Sequence, residues 1–175
     1  MKKSFLLVSL LLATTSSVWA QPKIPGMSMS VKENLYWPIF KQGKRSQKVR
    51  VLQGLLNING AHLALDSYFG RSTQNAVSRF QKSAGIKADG VVGSQTWEKL
   101  IVPLSRGARG PRVREIQHLL SINGYPVKAD GIFGATTESA IRSYQKKEGG
   151  EVMVADGRAH RWVWCWLLGG LNISD

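Results

Sequence analysis

The chain has 175 residues, a formal net charge of +13 at pH 7 and a single cysteine, Cys165. One cysteine excludes an intramolecular disulfide, so every part of the fold must be held together by packing. The excess of Lys and Arg favours a polyanionic partner, of which nucleic acid is the most frequent.

The first twenty residues have the pattern of a secretory signal peptide. Lys2 and Lys3 precede an apolar run at 5–12 and a suitable cleavage site near Ala20. The run is shorter than the ~20 residues of a membrane-spanning helix, so we predict no membrane insertion. The mature chain is then expected to be periplasmic or secreted, where cell-wall polymers rather than nucleic acid supply negative charge.

An internal repeat follows a predicted linker at 21–35, which has no periodicity. Residues 36–102 (module 1) align with residues 103–170 (module 2). An offset of 64 pairs Gly43 with Gly107, Gln53 with Gln117, Asn59-Gly60 with Asn123-Gly124, Asp66 with Asp130, Phe69-Gly70 with Phe133-Gly134, and Gln81 with Gln145. After a three-residue insertion near 149–154 the offset becomes 67, pairing Asp89 with Asp156 and Trp97 with Trp164.

Each module is predicted to contain three short helices. Val49, Leu52 and Leu56 have helical spacing, and Asn59-Gly60 is typical of a helix end. The second helix carries a one-sided apolar stripe, and Trp97 is the large core residue of the third. We therefore predict an all-α fold of two tandem small orthogonal three-helix bundles. They should lie side by side, because the connector at 101–106 is too short for a flexible tether.

The N-terminal aromatic and apolar residues Tyr36, Trp37, Ile39 and Phe40 are expected to lie against module 1. The predicted third helix of module 2 is degenerate. A motif of Asp, Gly four residues later and Thr three further on begins at Asp66, Asp89 and Asp130, but decays after Asp156. The Asp should accept hydrogen bonds from a turn, a structural role.

These strings resemble the short three-helix peptidoglycan-binding domain found at the ends of many bacterial cell-wall hydrolases. The resemblance covers about residues 36–168. It rests on Phe40-Lys41-Gln42-Gly43, Asp66-x-x-Phe69-Gly70-x-x-Thr73, Asp89-Gly90-x-x-Gly93-x-x-Thr96-Trp97, Leu104-x-x-Gly107, and Asp130-Gly131-x-x-Gly134-x-x-Thr137. It implies binding of the glycan strand and stem peptide of peptidoglycan, and it leaves no segment for a catalytic domain.

We therefore predict an exported, non-catalytic peptidoglycan-binding protein. Ligand contacts are expected at two loops, near 66–71 and 125–133. They are also expected at the basic entry to the first helix of module 2 (106–114) and at the tryptophan-rich end (162–166). The predicted ligand-binding residues are Asp66, Tyr68, Arg71, Arg109, Arg112, Tyr125, Asp130, Trp162 and Trp166. For the basic entry, a solvated surface is an equal alternative to an anion site.

No catalytic residue, metal site or cofactor is predicted. Glycosidase chemistry needs two carboxylates around the sugar bond, and Glu98, Glu115 and Glu138 are interpreted as solvated helix charges. A zinc enzyme needs about three converging ligands, whereas His62, His118 and His160 are scattered and interpreted as surface residues.

The tryptophan-rich end leaves two questions open. Trp164 should face the core, with Trp162 and Trp166 on another face, where they stack on sugars, dock a partner or seal the modules together. Cys165 either packs inside the last helix or forms a disulfide with a second molecule. The alternative function is a protein-interaction role, in which the chain regulates or inhibits a cell-wall hydrolase or a toxin.

Overall fold

The structure is a computed structural model, which describes residues 35–149 and 154–172. The predicted signal peptide, all but the last residue of the predicted linker, and most of the insertion lie outside these ranges. The elements in chain order are β1 (Leu35–Tyr36), α1 (Gln47–Ile58), α2 (Arg71–Ser83), α3 (Ser94–Leu100), α4 (Pro111–Ile122), α5 (Ala135–Gly149), α6 (Arg161–Leu168) and β2 (Leu171–Asn172). The all-α class with two sets of three helices is confirmed.

The helix ends follow from local sequence. Ser46 caps α1 by accepting a hydrogen bond from the Lys48 amide at 3.1 Å. The predicted end of α1 is confirmed, because Asn59 is its C-cap and Gly60 has a φ of +85°. Pro111 begins α4, where a missing N–H costs nothing. The end of α4 at Asn123-Gly124 repeats the end of α1, whereas the start of α4 has no side-chain cap.

The repeat alignment is reproduced in three dimensions. Phe40 forms a β-bridge with Val92, and Leu104 forms the equivalent bridge with Ala159. Leu104 follows Phe40 by 64 residues, and Ala159 follows Val92 by 67, as the sequence alignment requires. Trp97 and Trp164 are both completely buried, each within the third helix of its module.

The two modules are packed together, as predicted. The most extensive helix–helix contact in the described ranges joins α1 to α4. At its centre the Glu115 carboxyl of α4 lies against the backbone of Gly54 in α1, where any Cβ would overlap it. The interpretation of Glu115 as a solvated charge is therefore wrong: the residue is 7% exposed. Sequence periodicity places it outside the core of its own module, but α1 of the other module covers it.

The N-terminal segment only partly follows the prediction. Trp37 stacks on Trp97 with ring centroids 6.1 Å apart, and the Trp97 indole donates to the Pro38 carbonyl at 2.7 Å. Phe40 is buried against the same indole. Tyr36 and Ile39 are instead 53% and 65% exposed. The segment is extended, so its successive side chains cannot all face one core.

Cys165 is fully buried in α6, with its Sγ 3.6 Å from the Tyr36 carbonyl oxygen. Burial raises the pKa of this thiol to about 12, so almost none of it is thiolate at neutral pH. We expect Ellman's reagent to label the folded protein negligibly over the time in which it labels the denatured protein completely. Rapid labelling of the folded protein would contradict this packing and restore the intermolecular disulfide as an interpretation.

Candidate functional site

A buried glutamine organises the loop before α2. The Gln53 side-chain amide donates to Asp66 Oδ1 at 2.7 Å, to the Tyr68 carbonyl at 3.0 Å and to Thr73 Oγ1 at 3.2 Å. Its own oxygen accepts from the Ser67 amide at 3.2 Å. One side chain on α1 thus fixes both the turn and the first turn of α2.

The same arrangement occurs four times. Gln81 bonds Asp89 and Thr96, and Gln117 bonds Asp130 and Thr137. The fourth glutamine, Gln145, bonds Asp156 and the Arg158 carbonyl at 3.0 and 3.1 Å. There the threonine is replaced by Val163, and His160 Nε2 instead lies 2.6 Å from Asp156 Oδ2. The departures seen in the module 2 sequence therefore leave the Gln–Asp contact in place.

Asp66 and Asp130, both predicted ligand residues, are held by these units. The hydrogen bond from Gln53 is the main factor that lowers the pKa of Asp66. For Asp130 the backbone amide of Ile132 lowers the pKa most, followed by Gln117. Both side chains are therefore ionised and oriented at neutral pH. Their ligand role stays a prediction beside this structural one.

Tyr68 lies beside Arg45, which is not among the predicted ligand-binding residues. The guanidinium carbon of Arg45 is 3.9 Å from the ring centroid of Tyr68, and their backbones form a β-bridge. Arg45 is the repeat partner of Arg109, which was selected, so the repeat contained the information needed to find it. Asp66, Tyr68 and Arg45 form one edge of module 1, while Arg71 follows as the exposed first residue of α2.

The equivalent edge of module 2 is simpler. Arg109 is exposed and forms a β-bridge with Ile132, which takes the position of Tyr68 and provides no aromatic ring. Arg112 is half-buried, and its Nε has no hydrogen-bond partner among the described residues. Arg109 and Arg112 therefore do not reproduce the Arg45–Tyr68 stack.

An open groove of about 550 Å³ lies on module 2 between the α4–α5 loop and α5. Tyr125, a predicted ligand residue, lies in its wall and packs edge-on against Tyr144, with centroids 5.4 Å apart. Burial raises the pKa of the Tyr125 phenol, so it is neutral at pH 7. The other lining residues are small or hydroxylated: Gly124, Pro126, Val127, Ala135, Thr136, Ser139, Ala140 and Ser143. None of these was selected from the sequence, although Thr136, Ser139 and Ser143 have the spacing of one helix face.

The tryptophans of α6 are arranged as predicted. Trp164 is buried, whereas Trp162 and Trp166 are half-buried on another face, with centroids 5.6 Å apart. His160 stacks on Trp162 at 6.0 Å. Of the three histidines interpreted as surface residues, His62 is exposed, whereas His118 and His160 are half-buried. Sugar binding or protein docking by the tryptophan pair stays a prediction.

No group of three or more His, Cys, Asp and Glu side chains at 35–149 and 154–172 is placed to hold a metal ion. No helix in that part of the chain is long and apolar enough to cross a lipid bilayer.

The fold and its Gln–Asp units define a tandem three-helix repeat, and comparison with known proteins identifies its family. The family described as "Putative peptidoglycan binding domain" matches residues 45–100 and 109–158. These two segments comprise more than half of the chain. The chain belongs to the peptidoglycan-binding domain family and carries two copies of that domain.

Similar proteins include bacterial cell-wall enzymes. A zinc D-Ala-D-Ala carboxypeptidase from Streptomyces albus G is 49% identical over 66 residues, which are 35% of this chain and 25% of that enzyme. A probable N-acetylmuramoyl-L-alanine amidase from Bacillus licheniformis is 32% identical over 152 residues, 68% of this chain and 41% of that protein. The chain thus spans less than half the length of these two relatives.

Among solved structures, a peptidoglycan-binding protein from Clostridioides difficile in complex with glutamine hydroxamate is 40% identical. The match covers 36% of this chain and 40% of that chain, with a TM-score of 0.35.

Proposed function

We propose that this protein is an exported, non-catalytic protein that binds peptidoglycan through both modules. The observation that carries the proposal is the open groove of module 2, because it lies within a domain of the peptidoglycan-binding family and is lined by Tyr125 and by hydroxyl groups. The signal-peptide pattern at 1–20 supports export.

The chemistry of the groove suits a polysaccharide chain. The Tyr125 ring offers an apolar face against which a pyranose ring can stack. The hydroxyls of Thr136, Ser139 and Ser143 can both donate to and accept from sugar hydroxyls and N-acetyl groups. A shallow, open groove admits a segment from within a long strand, whereas a closed pocket would admit only its end.

The positions of the carboxylates support a non-catalytic role. Asp66, Asp89, Asp130 and Asp156 each accept from a buried glutamine. Glu138 is ion-paired, and Glu115 lies in the α1–α4 contact. A glycosidase needs two carboxyl groups directed at one bond from opposite sides, and each of these aspartates has one carboxylate oxygen bonded within its own turn.

The test is a pull-down of residues 21–175 on purified sacculi across a salt series, with chromatography of the supernatant for muropeptides. Binding should survive moderate salt, because stacking and neutral hydrogen bonds are little screened, and no muropeptides should be released. Ser139→Phe, at an exposed position of α5, should obstruct the groove and weaken binding roughly tenfold, as expected for loss of about 1.4 kcal/mol of contact. Tyr125→Ala should act in the same direction.

Tyr36→Ala is the matched control, since Tyr36 is exposed outside the groove. Unchanged binding by folded Ser139→Phe would refute the groove assignment. Soluble fragments released by the parent protein would show that the chain is an enzyme.

A further inference from the structure

Helix α2 of module 1 carries an exposed basic stripe. Arg71, Asn75 and Arg79 are spaced by four residues and are all exposed, so they follow one face of the helix. The helix contains no acidic residue, and Arg71 occupies its first position, where the helix dipole disfavours a cation. Helix stability therefore does not explain Arg71.

The two guanidinium groups have no ion-pair partner within the described ranges. Asp66 is the acid nearest in sequence to Arg71, but its carboxylate accepts from Gln53 and Tyr68. The cation that acts on Asp66 is Arg45. Among residues 35–149 and 154–172, the guanidinium groups of Arg71 and Arg79 thus have no competing acceptor and can donate to a ligand.

Module 2 differs at the equivalent helix. Glu138 of α5 lies 3.3 Å from Arg106 and 2.8 Å from Arg142, so its single negative charge is shared between these two guanidinium groups. The repeat partner of Glu138 in α2 is Gln74, which has no charge. The arginines at α5 therefore have an acidic partner, whereas Arg71 and Arg79 of α2 have none within the described ranges.

The stripe occupies the position of the module 2 groove. Arg71, Asn75 and Arg79 are the repeat partners of Ala135, Ser139 and Ser143, which line that groove. Ala61 stands in module 1 where module 2 has Tyr125, so the stacking ring is absent from that position. The same surface thus presents guanidinium groups in one module and an aromatic ring with hydroxyls in the other.

We propose that the basic stripe of α2 binds the carboxylates of peptidoglycan stem peptides, while the groove of module 2 binds the glycan. This inference rests on the proposed function. Eight helical residues separate Arg71 from Arg79 by roughly 12 Å, so each can take a separate carboxylate. A guanidinium matches a carboxylate with two parallel hydrogen bonds. The two modules then recognise different parts of one polymer.

The test compares Arg71→Gln/Arg79→Gln with Arg106→Gln/Arg142→Gln on sacculi. Both double variants remove two positive charges, but the second pair is bound to Glu138. We expect roughly tenfold weaker binding for the α2 variant, from the loss of charge-assisted hydrogen bonds. The control should stay within about twofold, and circular dichroism should show both variants folded.

The second part of the test uses sacculi in which the carboxyl groups have been amidated. The parent protein should bind them as weakly as the α2 variant does, and the α2 variant should not distinguish them from untreated sacculi. Equal losses in the two double variants would overturn the inference in favour of net charge. Full binding to amidated sacculi, lost once phosphate polymers are stripped from the wall, would overturn it in favour of phosphate. If Ser139→Phe weakens binding and the α2 variant does not, this inference fails while the proposed function stands; if the parent protein binds no sacculi, both fail.

Discussion

Replacing Gln117 with leucine should lower the free energy of unfolding by about 4 kcal/mol, because several buried polar groups lose their partner at once. The Gln117 amide donates to Asp130 at 2.9 Å and to Ile132 and Thr137 at 3.0 Å each. Its oxygen accepts from the buried amide of Gly131 at 2.9 Å. Leucine has a similar volume but satisfies none of these groups. Solvent can reach the exposed Asp130, but it cannot replace the partner of the buried Thr137 hydroxyl or of the buried Gly131 amide.

Denaturant unfolding followed by circular dichroism measures this change, with Gln47→Leu as the matched control. Gln47 begins α1 and is exposed, so the same chemical substitution there should change stability by less than about 0.5 kcal/mol. A loss below about 1 kcal/mol for Gln117→Leu would mean that the Gln–Asp unit does not hold the loop.

Raising the pH from 4.5 to 8 should reduce stability through Glu115. Burial raises the pKa of this carboxyl to about 7 from an ordinary 4.5, although Arg50 acts in the opposite direction. The folded state therefore holds the proton more tightly than the unfolded chain does. The protonated Glu115 makes its full contribution to the free energy of unfolding below about pH 4.5. This contribution is lost as the pH rises through 7, and the total loss is about 3 kcal/mol.

The measurement is the free energy of unfolding at several pH values for the parent protein and for Glu115→Gln. The difference between them isolates Glu115 from other groups, including His118, whose pKa burial lowers and whose effect has the opposite sign. The variant should gain stability relative to the parent as the pH rises. Glu148→Gln, at an exposed position, is the control. The difference in free energy of unfolding between this variant and the parent should not change with pH. If the difference in free energy of unfolding between Glu115→Gln and the parent did not change with pH, the Glu115 carboxyl would be exposed to solvent rather than buried.

The sequence predicted those parts of the fold that depend on local or repeated pattern. The helix end at Asn59-Gly60, the burial of Trp164 and the shift of the repeat offset each follow from neighbouring residues or from alignment. Tyr125 was selected from its loop position, and it lies in the groove.

The remaining features depend on contacts between distant segments. Gln53 and Asp66 were both recognised as repeated, but their hydrogen bond joins a helix to a loop 13 residues later. Burial of Glu115 requires the second module, and its partner Gly54 has a histidine as its own repeat equivalent. A pattern that describes one module cannot show what the other module covers.

The pairing of β1 with β2 has a consequence for how this unit can be joined to other chains. Leu35 lies opposite Asn172 in an antiparallel pair, so the polypeptide enters and leaves the described unit at one place. Neighbouring entry and exit points are the geometry that permits insertion of a domain into a loop of a host protein, or circular permutation. The paired modules could be spliced as a cassette into a surface loop without forcing the flanking segments apart.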